Sequence, residues 1–216
     1  MKGTRVSSKD EYRLFARIYD IVLGPALLKF RYAGLRMFPP YPGMKVLDVG
    51  CGTGAHLEMY RNFGCRLYGL DTSRSMLAVA GKRLEGVADL RIHDAGTMPF
   101  ESNKFDMVLC MFVLHEMSPQ VRTAALREMK RVVRPGGRVL LIDFNARRPR
   151  TMRGRIAKLM IFMAEVAAGK RHFRNYREFM STNGLESLVP FSSFFKERQK
   201  FAAGGALVLY LLRPAD

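Results

Sequence analysis

The run Val46-Leu47-Asp48-Val49-Gly50-Cys51-Gly52-Thr53-Gly54 constrains this chain more than any other stretch. Apolar residues flank an acid, and three glycines then follow at alternating positions. The pattern predicts a strand from Lys45 to Val49 that ends in a tight turn. Glycine suits such a turn because it lacks the Cβ that keeps other residues out of left-handed conformations. A helix is predicted to begin near Gly54 or Ala55. Backbone N–H groups at a strand-to-helix turn, with no side chains in the way, let a nucleotide-like ligand lie against the main chain. The spacing is G-x-G-x-G, not the G-x-G-x-x-G of dinucleotide folds.

The same strand-and-helix unit recurs along the chain. A second strand, Arg66 to Leu70, is predicted to end in Asp71, where a ribose-binding acid belongs in a nucleotide-binding α/β fold. A third, Leu90 to His93, ends in Asp94-Ala95, and a fourth, Phe105 to Cys110, ends in Met111-Phe112. Helices are predicted at 55–63, 75–84 and 119–133, the last with Ser118 as N-cap and Pro119 at its first position. Arg134-Pro135-Gly136-Gly137 reads as a turn before a fifth strand, Arg138 to Asp143. Two strands, 194–199 and 206–212, close the chain. The fold class expected is α/β: a doubly wound, mostly parallel, seven-stranded Rossmann-like sheet with a C-terminal antiparallel hairpin and N-terminal helices. The organisation expected is one domain. It comprises a helical cap at 1–43, a cofactor-binding core at 44–145, a basic amphipathic lid segment at 146–190 and the hairpin at 191–216. Within the cap, Gly24-Pro25 is expected to separate helices at 9–23 and 26–38.

The motifs VLDVGCGTG, YGLDTSRSMLAVA, HDAGTMPFESNKFDMVL and LREMKRVVRPGGRVLLIDF together resemble the successive motifs of class I S-adenosylmethionine-dependent methyltransferases. The layout is similar to the branch that includes quinone-biosynthesis C-methyltransferases and phospholipid N-methyltransferases. The resemblance implies S-adenosylmethionine as cofactor, with Gly50, Cys51, Gly52 and Gly54 under its methionine and ribose parts. It implies that Asp71, followed by Thr72, accepts hydrogen bonds from the ribose hydroxyls. Asp94 and Ala95 are the pair expected at the adenine, and Met111 lies where the fourth strand opens toward the cofactor. Asp48 meets the cofactor's cationic end or caps the turn, and Met76 packs on adenine or in the core. Asp71 and Asp94 also have ordinary readings, as a helix cap and a surface-turn residue. Tyr19, in a Tyr-Asp element like the branch's own, is expected to close over the cofactor.

Methyl transfer is an in-line displacement for which alignment and exclusion of water matter most. A base is needed only when the acceptor must lose a proton. His115 is the candidate, following the fourth strand on the substrate side, with a purely structural histidine as the other reading. The Asp/Asn/Ser-Pro-Pro-aromatic motif of base-amine methylation is absent after that strand, where Cys110-Met111-Phe112-Val113-Leu114-His115 stands instead.

The net charge of +17 is unevenly spread: +5 over 1–36, +3 over 37–145 and +9 over 146–216. Basic flanks around a balanced core point to an anionic partner. Arg147, Arg148, Arg150, Arg153 and Arg155 precede a predicted helix at 154–168 with Ile156, Leu159, Met160, Met163 and Ala167 at helical spacing. That combination suits an anionic membrane surface, or else an ordinary lid packed on the core. The function expected is methylation of a small-molecule or lipid-like acceptor, a phospholipid amine or quinone precursor, at such a surface. RNA methylation ranks lower, since no RNA-binding module or aromatic-interleaved basic stripe is present. A cofactor-binding partner protein without turnover is the third reading. Cys51, Cys65 and Cys110 are expected to be buried free thiols of a reducing compartment, and no closely spaced Cys/His set suggests a metal. No signal-peptide core or membrane-spanning run is found, so the location expected is cytoplasmic, with the inner leaflet as the docking surface.

Overall fold

The computed structural model describes residues 19–189 and 193–215, without the side chains of 19–23 and 26. Helix α1 (Tyr19–Met37) leads into β1 (Lys45–Val49), α2 (Ala55–Arg61), β2 (Arg66–Asp71), α3 (Arg74–Arg83) and β3 (Ala88–Ile92). Then come β4 (Phe105–Met111), a 3-10 turn at Leu114–Glu116, α4 (Pro119–Val132) and β5 (Val133–Phe144). The remainder is α5 (Met152–Ala167), α6 (Lys170–Ser181), α7 (Leu185–Leu188), β6 (Phe194–Ala202) and β7 (Leu207–Pro214).

The seven strands lie in the order β3-β2-β1-β4-β5-β7-β6. β7 runs antiparallel to both β5 and β6, and the other pairings are parallel. This is the doubly wound sheet expected from the sequence. Its central strands are buried on both faces, so they read as unbroken apolar runs rather than alternating ones. In β5, Val139 and Leu141 join the core on one side, while Leu140 and Ile142 join the core on the other. The edge strand β6 is exposed along Phe195–Lys200 and carries Lys196, Glu197, Arg198 and Lys200, charges that discourage pairing with another chain.

Two expectations fail for backbone reasons. Gly24-Pro25 does not end a helix, because α1 continues through Pro25. Proline's fixed φ is compatible with the helix, although Pro25 lacks an N–H donor and crowds the carbonyl four residues back. The part of the expected first helix before residue 19 lies outside the described residues. Arg134-Pro135-Gly136-Gly137 is not a turn between elements but an outward bulge within β5: Phe105 pairs with Val133, and Met107 next pairs with Arg138. Gly136 takes φ 79° there. A Cβ on Gly137 would sit 2.9 Å from the carbonyl oxygens of Phe105 and Asp106.

Ser118 caps α4 as predicted, accepting from the N–H of Val121. The arginine one turn later does more for the site. Arg122 is 2% exposed and donates to the carbonyls of Leu114 (2.8 Å) and Met117 (2.9 Å) and to Glu178 of α6 (2.8 Å). Its guanidinium also lies over the Phe179 ring. One buried cation thus fixes the loop after β4 to both α4 and α6.

The apolar stripe predicted on α5 faces outward. Leu159 and Met160 are 61% and 68% exposed, and Met152, Ile156, Met163 and Val166 are exposed with them. The inward stripe is Gly154, Lys158, Ile161 and Glu165. Gly154 is needed there, since a Cβ would come within 2.1 Å of the Gly204 carbonyl oxygen. Lys158 donates to the carbonyls of Ala146 and Arg147.

Arg122→Met is expected to leave two loop carbonyls and Glu178 without their cation. The cost is on the order of 3 kcal/mol, or roughly 6–12 °C in Tm for a domain of this size. Thermal unfolding followed by circular dichroism checks it.

Candidate active site

β1 and β4 lie side by side at the point where the strand order reverses, and their carboxyl ends leave a crevice. A cavity of about 430 Å³ fills it, within the range of small-molecule and cofactor sites. Its floor is the glycine turn. Gly50, Gly52 and Gly54 take φ 70°, 53° and 75°, in the left-handed region. The N–H groups of Gly50 and Cys51 donate to the Leu70 carbonyl at 2.8 and 3.0 Å, tying the turn to β2. A Cβ on Gly50 would lie 2.5 Å from a Val113 methyl, whereas one on Gly52 would meet nothing within 4 Å. The space over Gly52 is therefore open cavity.

Asp71 stands at the end of β2 with its carboxylate held from below. One oxygen accepts the Gly52 N–H at 2.9 Å and the other the Ser73 N–H at 2.8 Å. The cap of α3 is Ser73, which accepts from Met76 N–H, so Asp71 is not spent on that duty. Asp94 accepts the Gly96 N–H at 2.7 Å, with Ala95 buried beside it. Of the residues expected at the cofactor, Asp48, Gly50, Cys51, Gly52, Asp71, Thr72, Met76, Asp94, Ala95 and Met111 all line the cavity. Gly54 does not. Its α-carbon packs on α3, where a Cβ would stand 3.1 Å from Ala80 and Leu84. Tyr19 opens α1, and its side chain lies outside the described residues.

The electrostatics below the turn come from residues the motif does not announce. Arg31, delivered by α1, and His56 of α2 line the cavity with Asp48. Burial pushes the Asp48 carboxyl up to about 8, with Arg31 opposing and Asp71 assisting. Burial and the Arg31 charge push His56 down to about 3. His56 is a neutral imidazole, 4% exposed, and neither of its ring nitrogens has a hydrogen-bond partner among the described residues. Nothing in the sequence separates Arg31 from the chain's many other basic residues. His56 sits two positions beyond the glycine run, the one local hint it offers.

The opposite wall belongs to the loop after β4 and to α6. Phe112, Val113, Glu116 and Met117 of the loop face Arg171, Arg174 and Asn175, and Asn175 donates to the Glu116 carbonyl at 2.6 Å. His115 is not on this wall. It is 2% exposed, packed on Phe144, with Nδ1 2.7 Å from Asp143 and Nε2 3.6 Å from Glu165. Burial alone would lower His115, but the Asp143 charge and hydrogen bond, with Glu116 and Glu165, raise it to about 9. The residue facing the cavity is its neighbour, Glu116. His172 of α6 lies 2.7 Å from Glu165 and 4.0 Å from Glu116. Cys51 and Cys110 are buried free thiols, as expected, but Cys65 is only half-buried. It ends up near the amino end of the sheet, where its thiol meets the Tyr41 carbonyl.

Residues 47–141 match the model of the methyltransferase domain family. Over that stretch the chain is similar to the class I S-adenosylmethionine-dependent methyltransferases. Demethylmenaquinone methyltransferase of Renibacterium salmoninarum is 40% identical over 104 residues, covering 48% of this chain and 43% of that relative. The matched stretch thus spans less than half of the relative's length. The methyltransferase in a complex with the Haloferax volcanii Trm112 methyltransferase activator superposes with TM-score 0.74 at 16% identity, over 97% of this chain and 100% of that one. The [4+2]-cyclase SpnF superposes with TM-score 0.69 at 18% identity, over 100% of this chain and 99% of that one. Such distant likenesses establish the fold, and one fold serves more than one reaction.

S-adenosylmethionine is the cofactor of this class, and the cavity fits it on two observations. The space over Gly52 admits a ligand against bare backbone, and the His56 nitrogens are buried polar atoms still awaiting a partner. A carboxyl that holds its proton to about pH 8 when folded, and releases it near pH 4 when unfolded, withdraws stability as pH rises between those values. Asp48→Asn is therefore expected to raise the Tm of the cofactor-free protein by roughly 2–4 °C at pH 8.5 and to change it little at pH 4. The same substitution is expected to weaken S-adenosylmethionine binding by about tenfold or more through loss of a charge-assisted contact. Paired thermal scans and titration calorimetry check both.

Proposed function

We propose that this chain transfers a methyl group to a lipid-like acceptor of the quinone-precursor type while docked on an anionic membrane surface. The observation that carries the reading is α5. An exposed helix face of Met152, Ile156, Leu159, Met160, Met163 and Val166 adjoins the exposed Arg148, Arg150, Arg153 and Arg155. An apolar helix face beside arginines suits insertion at the boundary between headgroups and acyl chains. Each basic residue contributes on the order of 1 kcal/mol near an anionic leaflet. Arg147 contributes less, being paired with Glu186. No helix among the described residues is long and apolar enough to cross a membrane, so the attachment proposed is peripheral. The quinone-type acceptor is supported by the likeness to demethylmenaquinone methyltransferase.

When bound, S-adenosylmethionine supplies a methyl group on a positively charged sulfur. The protein's part is to hold and dry the reactants. Asp71 receives ribose hydroxyls, its carboxylate already oriented by two N–H groups. Arg31 and Asp48 take the charged amino-acid end. Asp94, Ala95 and Met76 frame the base, with Thr72 beside them, and Met111 lies toward the reacting face. A ring carbon that accepts methyl must afterwards lose a proton. Glu116, the carboxylate on the acceptor wall, receives it, and His115 behind it acts as the positioning residue.

The deciding experiment supplies cofactor with a labelled methyl group to separated lipid, RNA and metabolite fractions. Label is expected in the lipid fraction, and label in RNA alone overturns the reading. Leu159→Glu/Met160→Glu changes only exposed side chains. It is expected to leave Tm within about 2 °C while abolishing co-sedimentation with vesicles containing anionic lipid at low salt. Vesicle binding that survives the double substitution removes α5 as the docking face. Glu116→Gln is expected to lower turnover by about 100-fold or more, with cofactor affinity unchanged.

A further inference from the structure

Two imidazoles and two carboxylates gather under the lid. His115 comes from the loop after β4, Glu165 from α5 and His172 from α6, with Glu116 at the cavity edge. One donor atom each from His115, Glu116 and His172 lies within 4.8 Å of the other two. His115 Nε2 stands 3.6 Å from one Glu165 oxygen, and His172 Nε2 stands 2.7 Å from the other. His172 Nε2 is also 4.0 Å from Glu116. A tetrahedral ion with bonds of about 2.0–2.1 Å spaces its donors about 3.3 Å apart, inside this span.

Three further features separate this group from an ordinary ion-pair network. The Asp143 carboxylate lies 2.7 Å from His115 Nδ1, the carboxylate–histidine arrangement that turns the other ring nitrogen toward a metal. Glu165 is 7% exposed, and its two oxygens reach both imidazoles, one toward His115 and the other toward His172. Phe144, Tyr176 and Phe179 wall the cluster with aromatic rings, an apolar shell of the kind that surrounds bound metals.

We propose that His115, His172 and Glu165 bind one divalent ion of the zinc class, with Glu116 held beside it. Two imidazoles with carboxylates suit zinc and neighbouring first-row metals rather than magnesium or calcium, which prefer oxygen alone. The ion fastens α5 and α6 to the carboxyl ends of β4 and β5 and holds Glu116 at the mouth of the acceptor wall. Sequence spacing hides such a site, because the two histidines belong to different elements and meet only when the lid folds onto the sheet.

The test uses the full chain, stripped with chelator and titrated with zinc chloride, with magnesium chloride in parallel. Neither readout depends on methyl transfer, so failure here and failure of the proposed activity are distinguishable. One equivalent of zinc is expected to bind with Kd of about 1 µM or tighter. At 100-fold excess over Kd, zinc is expected to raise Tm by about 5–10 °C, and magnesium to do neither. His172→Gln and Glu165→Gln are each expected to weaken zinc binding by at least about 30-fold. Cys65→Ser is expected to leave it unchanged, separating the site from the half-buried thiol. Absence of zinc binding at 100 µM (roughly 100 times the expected Kd), or equal binding by wild type and both Gln variants, overturns the proposal.

Discussion

The Gly50 α-carbon faces the Val113 side chain across a gap that holds a hydrogen and nothing larger. That contact joins the turn after β1 to the loop after β4, and the cavity walls are set out from it. On one side the turn sends the Gly52 N–H to Asp71 and starts α2 at Ala55. On the other, Val113 leads directly into the 3-10 turn that carries His115 and Glu116. Arg122 then clamps that loop from behind through two of its carbonyls. The left-handed backbone at three glycines is thus a positioning device for side chains that lie far along the sequence.

Burial drives the two ends of the cavity in opposite electrostatic directions. At the glycine end, Asp48 and His56 are each pushed toward their neutral forms, a pocket arranged to regain charge when a charged ligand arrives. At the lid end, Asp143, Glu116 and Glu165 outweigh burial and hold His115 toward its charged form.

The parts legible in the sequence were those whose physics is local. A strand, a glycine turn and an acid at a strand end lie within a few residues of one another, so Asp48, Gly52, Asp71 and Asp94 could be placed on the cavity from spacing alone. Gly54 shows the limit of that reasoning, because its third-glycine position serves helix packing. Arg31 and His56 depend on how α1 crosses the turn, which no periodicity encodes. Pro25 and the Arg134–Gly137 stretch carry strong breaker signals, yet one is absorbed within a helix and the other within a strand. On α5 the apolar period was read correctly, but periodicity does not say which face turns inward. Gly154 and Glu165, a small residue and a charged one, decided that.

Helix α5 is held to the body of the protein along a narrow stripe. Gly154 rests against Gly204, Lys158 reaches two loop carbonyls, Ile161 packs at the margin of the core, and Glu165 meets the histidines. Little of its apolar surface contributes to folding, so the free energy that holds it down is a small fraction of that holding the sheet. Its amides are expected to open and exchange hydrogen ahead of those of β4 and β5. The lid is in this sense a weakly attached foldon, whose opening bares the ring-walled histidine cluster without disturbing the strands beneath it.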